Sequence, residues 1–154
     1  MLKEILTMNI FMLISITNDR RKNMGAWGYK ILDNDKALDV MYELEYMRSN
    51  PTTQKNVCNL IKHLLTTSEY SDEILLCIGL VDISINGINP AIIGNAHDYD
   101  EFFTYIQKKP MINLKSIALK RLEEVKKSDL LSGWVEECIE PRKELLELLK
   151  NRLK

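Results

Sequence analysis

The sequence predicts an all-α protein: a single-domain, irregular bundle of about six or seven helices. Three observations carry this. Apolar residues recur at three- and four-residue spacing through most of the chain after Met24. One stretch, Ile74 to Ile85, is almost continuously apolar and can serve as the centre of the bundle. The 154 residues are 45% hydrophobic and 28% charged, ordinary values for one globular domain and far from those of a disordered chain.

The helices are placed in order as follows. Asp33-Asn34-Asp35 offers N-cap residues, and Ala37, Met41, Leu44 and Met47 give the buried stripe of a first helix that ends near Ser49-Asn50. Pro51 suits the first turn of a second helix, whose stripe is Val57, Leu60, Ile61, Leu64 and Leu65 and which Thr66-Thr67-Ser68 stops. Acidic residues from Glu69 to Glu73 suit the start of a helix, so Ile74 to Ile85 is read as a buried helix rather than a strand. Asn86-Gly87, Asn89-Pro90 and Gly94-Asn95 punctuate a loop before a short helix around Asp98 to Gln107. From Pro110 a further helix carries Leu114, Ile117, Ala118, Leu122 and Val125 on one face, and Ser128-Asp129 begins a short helix through Trp134. The last helix starts near Pro141 and carries Leu145, Leu146, Leu148, Leu149 and Leu153.

Residues 1–23 stand apart as an N-terminal extension, with residues 24–154 as the helical domain. Ile5 to Ile16 is apolar but broken by Thr7, Asn9 and Ser15, and is shorter than the roughly 20 residues that cross a bilayer. Lys3 balanced by Glu4 and the lack of a small-x-small cleavage site argue against a secretory signal, which leaves an added helix or edge strand packed on the domain, or a start upstream of an original beginning at Met24. Cys58, Cys77 and Cys138 are odd in number and never form a C-x-x-C pair, so a reducing cytoplasm is the expected compartment. Abundant Asn and Ile, with scarce Gly, Ala and Pro, suggest an AT-rich bacterial or phage genome.

No residue pattern announces a reaction. Asp33, Asp35 and Asp39 lack the glycine of a calcium loop, since Leu38 takes its place, and they serve better as helix-capping acids. Gly25 and Gly28 lack the spacing and the following Lys-Ser or Lys-Thr of a phosphate loop, and more simply allow a turn around a buried Trp27. Cys58 and His63 are five apart and do not share a helix face. His97-Asp98-Tyr99-Asp100-Glu101 is the densest polar cluster and the one place where a small hydrolase or metal-dependent enzyme could be built. No cofactor is indicated.

Charge is more informative. Residues 64 to 107 contain no Lys or Arg, yet they hold Glu69, Asp72, Glu73, Asp82, Asp98, Asp100 and Glu101. Residues 108 to 154 hold twelve basic and eight acidic residues, a local excess of +4 within a chain of net charge -1. A balance of this kind disfavours nucleic acid, which needs a basic surface, and no membrane partner is expected. The expected role is a non-catalytic protein-binding module, a neutralising (immunity-like) or regulatory partner of a protein with a basic surface. Its contact residues would be Glu69, Asp72, Glu73, Asp98, Asp100 and Glu101 on one connected acidic face.

The opening Met24-Gly25-Ala26-Trp27-Gly28, followed by Asp33-Asn34-Asp35, Ala37 and Asp39, resembles the start of a microbial family called domain of unknown function 4259. The run from Leu114 to Trp134, with Ala118, Leu119, Leu122, Val125, Ser128, Leu130 and Leu131, is similar to that family's C-terminal helix, turn and tryptophan. The resemblance implies a compact helical fold and supplies neither catalytic residues nor a substrate.

Overall fold

The computed structural model describes residues 28–94, 97–129 and 136–154. Among them seven α-helices follow one another: α1 (Asp35–Ser49), α2 (Val57–Thr67), α3 (Ser71–Asn86), α4 (Pro90–Ile93), α5 (Asp100–Gln107), α6 (Lys115–Asp129) and α7 (Glu136–Leu153). Short 3-10 turns at Gln54–Asn56, His97–Tyr99 and Ile112–Leu114 lead into α2, α5 and α6. The all-α, single-domain class read from the sequence is the class observed. Trp27, Gly25, Trp134 and residues 1–23 lie outside the described residues.

Helix α3 is the axis of the bundle. Every residue from Glu73 to Ser84 is buried, and α1, α2, α5, α6 and α7 all pack against it. A helix buried all round has no polar face to orient it, which is why its pattern reads as a continuous apolar run. Gly79 matters in this setting because a Cβ there would press on Cδ1 of Ile31. Ile31 belongs to the turn before α1, whose backbone is tied to α4 by Ile31 N–H to the Ile92 carbonyl and Leu32 N–H to the Ile93 carbonyl, both at 3.0 Å. The turn is thereby fixed against the central helix.

Helix α1 begins where the capping residues predict. Asn34 Oδ1 accepts the Ala37 N–H at 2.8 Å, and its amide donates to the Ile31 carbonyl at 3.1 Å. Ala37, Met41, Leu44 and Met47 are all buried, as their spacing requires.

Three boundaries differ from the sequence reading. Pro51 does not open α2: the Asn50 side chain accepts the Thr52 N–H at 3.0 Å and holds a turn, so the helix starts at Val57 after a 3-10 turn. Ser128 does not open a helix, because α6 runs on to Asp129. Pro141 lies inside α7, which starts five residues earlier at Glu136, where acidic residues favour the helix N-terminus. A proline this close to the start removes one backbone hydrogen bond without ending the helix. On α7, Leu145, Leu146, Leu149 and Leu153 are buried, whereas Leu148 is 40% exposed and lies off the buried stripe.

Candidate functional site

The six acids singled out by charge fall on two element starts. Glu69, Asp72 and Glu73 lie at the head of α3, and Asp98, Asp100 and Glu101 lie at the head of α5.

At the head of α3 the acids are mostly drawn into the fold. Glu73 is 1% exposed and accepts the Ser68 hydroxyl at 2.8 Å, so it is not part of any surface. The same hydroxyl accepts the Tyr70 N–H at 3.2 Å, and the Ser68 carbonyl accepts a bond from Arg121 of α6. Asp72 sits 3.7 Å from the buried guanidinium of Arg142, which also donates to the Tyr29 carbonyl at 2.9 Å. Lys36, fully buried on α1, places its ammonium 3.0 Å from the centre of the Tyr70 ring. These contacts join the starts of α1 and α3 to α6 and α7, and each charge has a partner within the fold. Glu69 alone of this group is exposed.

The head of α5 is different. His97, Asp98, Asp100 and Glu101 are all exposed. Tyr99 is half-buried, and its hydroxyl is pushed up by burial and then by the charges of Asp98, Asp39 and Glu45. Tyr99 therefore lies within electrostatic reach of Asp39 and Glu45 of α1. Glu101 reaches Arg48 of α1 at 3.1 Å, and the same guanidinium holds Glu45 at 2.6 and 2.7 Å. The exposed acids thus have neighbours on α1, Asp39 and Glu45, a part that the count of residues 64 to 107 did not include. Burial raises the Glu43 carboxyl above its ordinary range.

Two tyrosines stand on that same side of α1, Tyr42 at 66% and Tyr46 at 58% exposure. One turn apart, they share a stripe with Asp39 and Glu43. Sequence reasoning passed over them, although tyrosines on the polar side of an amphipathic helix were a visible signal.

Features that would favour chemistry sit on different elements. His63 lies on α2 and His97 before α5. Among the described residues no three His, Cys, Asp or Glu side chains converge to hold a metal ion. Burial pushes the thiols of Cys77 and Cys58 up, which keeps both protonated and weakly nucleophilic at neutral pH. Among the described residues no helix is long and apolar enough to cross a membrane.

The model of the family described as Domain of unknown function (DUF4259) matches residues 25–147, most of the chain. The chain belongs to this family. No curated protein and no solved structure matches it. In this DUF4259 chain Gly28, Asp33 and Asn34 of the matched region serve the start of α1. Asn34 caps the helix, and Asp33 Oδ2 accepts the Lys30 N–H at 3.2 Å. Gly28 leaves the room that the Asp33 carboxylate occupies.

Proposed function

We propose that this DUF4259 protein is a non-catalytic binding module of the bacterial cytoplasm that docks a protein partner through an acidic face. Its role is that of a neutralising or regulatory partner. One observation carries the reading: Asp98, Asp100 and Glu101 are exposed beside Asp39 and Glu45 of α1, so acids distant in sequence add to a single negative field. Arg48 offsets part of that field through Glu45 and Glu101, and leaves Asp98 and Asp100 outward. A face of this sign attracts a basic protein and repels phosphate backbones.

The test is association kinetics with the protein that co-purifies with the chain. Replacing Asp98, Asp100 and Glu101 by Lys should slow association strongly at low salt and little at high salt, where the Debye length falls well below about 10 Å. The melting temperature should fall by no more than several degrees, because these side chains are exposed and the Glu101–Arg48 pair lost with them lies at the surface. An unchanged on-rate at low salt would remove the acidic face as a docking feature. Stoichiometric metal binding lost on His97→Ala would favour instead a metal-dependent hydrolase built on His97 to Glu101.

A further inference from the structure

We infer that the outer side of α1 docks an arginine-bearing segment of a protein partner, with Tyr42 and Tyr46 at its centre and Asp39, Glu43 and Glu45, each three residues from one of the rings along the helix, around them. The inference rests on the protein-binding reading above and specifies where and how that partner is held.

The two rings are not needed to hold α1 in place. Its inner stripe of Ala37, Val40, Met41, Leu44 and Met47 is already buried to 3% exposure or less. A solvated helix face is ordinarily built from long charged side chains, whereas here two large flat rings project one turn apart, at 66% and 58% exposure. Tyrosine offers contact area at a small entropic cost and is enriched among residues that dominate binding energy.

The acids around the rings decide what can lie on them. A guanidinium stacks flat on an aromatic ring while its N–H fork pairs with a carboxylate, a combination that an ammonium cannot reproduce. Asp39 precedes Tyr42 by three residues and Glu43 precedes Tyr46 by three, so each ring has a carboxylate on its own stripe. Burial disfavours the charged form of Glu43, and an incoming guanidinium would favour it. The cation already present, Arg48, is engaged by Glu45 and Glu101.

A second copy of this chain is a poorer occupant. The arginines of its more basic C-terminal third are engaged internally: Arg121 with Glu124, Arg142 with Asp72, and Arg152 with Asp82. The complementary charge is therefore assigned to a different protein.

The experiment titrates the full-length chain with hexa-arginine and, separately, hexa-lysine at low salt, following the tyrosine ring resonances by NMR. Hexa-arginine should shift Tyr42 and Tyr46 in a saturable way and bind about tenfold more tightly than hexa-lysine. The double variant Tyr42→Ala, Tyr46→Ala should lose about that factor for hexa-arginine, keep its weaker affinity for hexa-lysine, and melt within a few degrees of the parent. Equal binding of both peptides with unshifted tyrosine rings would overturn the inference and leave the acidic-face reading standing. Failure of both peptides to bind would remove that reading as well. Ring shifts that depend on the concentration of the chain itself would give the face to a second copy and overturn the assignment to a different protein.

Discussion

Arg152 Nε lies 3.1 and 2.9 Å from the two carboxylate oxygens of Asp82, which joins the last turn of α7 to the central helix α3. Asp82 is 2% exposed, and burial pushes its carboxyl above the ordinary aspartate range, while Asn86 and Arg152 pull it back. Asn86 donates to Asp82 Oδ1 and to the Arg152 carbonyl, both at 2.9 Å, and Arg152 Nη2 donates to the Gly87 carbonyl at 2.7 Å. The C-terminal helix is latched at this point.

A pH dependence follows from the direction of that shift. A carboxyl raised on folding contributes stability below its unfolded value, near 3.9, and loses it as pH rises through the folded value. Arg152→Met removes the countering cation, moves the folded value higher, and so deepens the loss on the alkaline side. The variant should be destabilised by about 3 kcal/mol at neutral pH and by less near the acid limb. Thermal melts across that range check it, and an equal penalty at every pH would show that the buried carboxylate is not the source.

The helical class and most helix stripes are legible in the sequence because they depend on local spacing. The stripe of α2, the cap at Asn34 and the buried nature of α3 each follow from neighbouring residues. What is not legible depends on partners far along the chain. Gly79 reads as an interruption of an apolar run, yet its smallness is explained by Ile31, which the turn before α1 delivers. Glu73 and Asp98 look alike by charge, but Ser68 draws one inward while the other stays outside. Asp39 and Glu45 join the acidic face because the His97–Tyr99 turn is carried back to α1, a long-range event that no window of sequence contains.

Two glycines separate backbone strain from crowding. Gly87 has φ +85 with nothing within 4 Å of a notional Cβ, and Gly94 has φ +92 with Lys30 Cβ at 3.3 Å. Gly87→Ala should cost about 1–2 kcal/mol from backbone strain alone. Gly94→Ala should cost more, because the added methyl also presses on the turn that holds Asp33. Urea denaturation of the two variants gives the comparison, and equal penalties would show that the Lys30 contact yields without cost.

The junction at Ser68 predicts a polar defect rather than a cavity. Ser68→Ala removes the hydroxyl that donates to the buried Glu73 carboxylate and accepts the Tyr70 N–H. Withdrawing a donor from a buried carboxylate costs about 1–3 kcal/mol. Ser68→Thr keeps the hydroxyl and should recover part of that loss, as differential denaturation would record; if it matched Ser68→Ala, the hydroxyl would not be the relevant group.

Asn34 does two things at once, and a pair of substitutions separates them. Its oxygen caps α1 through the Ala37 N–H, and its amide satisfies the Ile31 carbonyl in a site only 3% exposed. Asn34→Ala loses both and should cost about 2 kcal/mol, roughly half from the cap and half from the stranded carbonyl. Asn34→Ser is expected to restore the cap, since a serine oxygen can accept the same N–H, but it is too short to replace the donor to Ile31. It should therefore lie midway between the parent and the alanine variant. Hydrogen exchange assigns the two parts: the Ala37 amide should be protected in the parent and the serine variant and exposed in the alanine variant. Full recovery of stability by serine would mean that the Ile31 carbonyl gains nothing from Asn34, and that the cap alone sets where α1 begins.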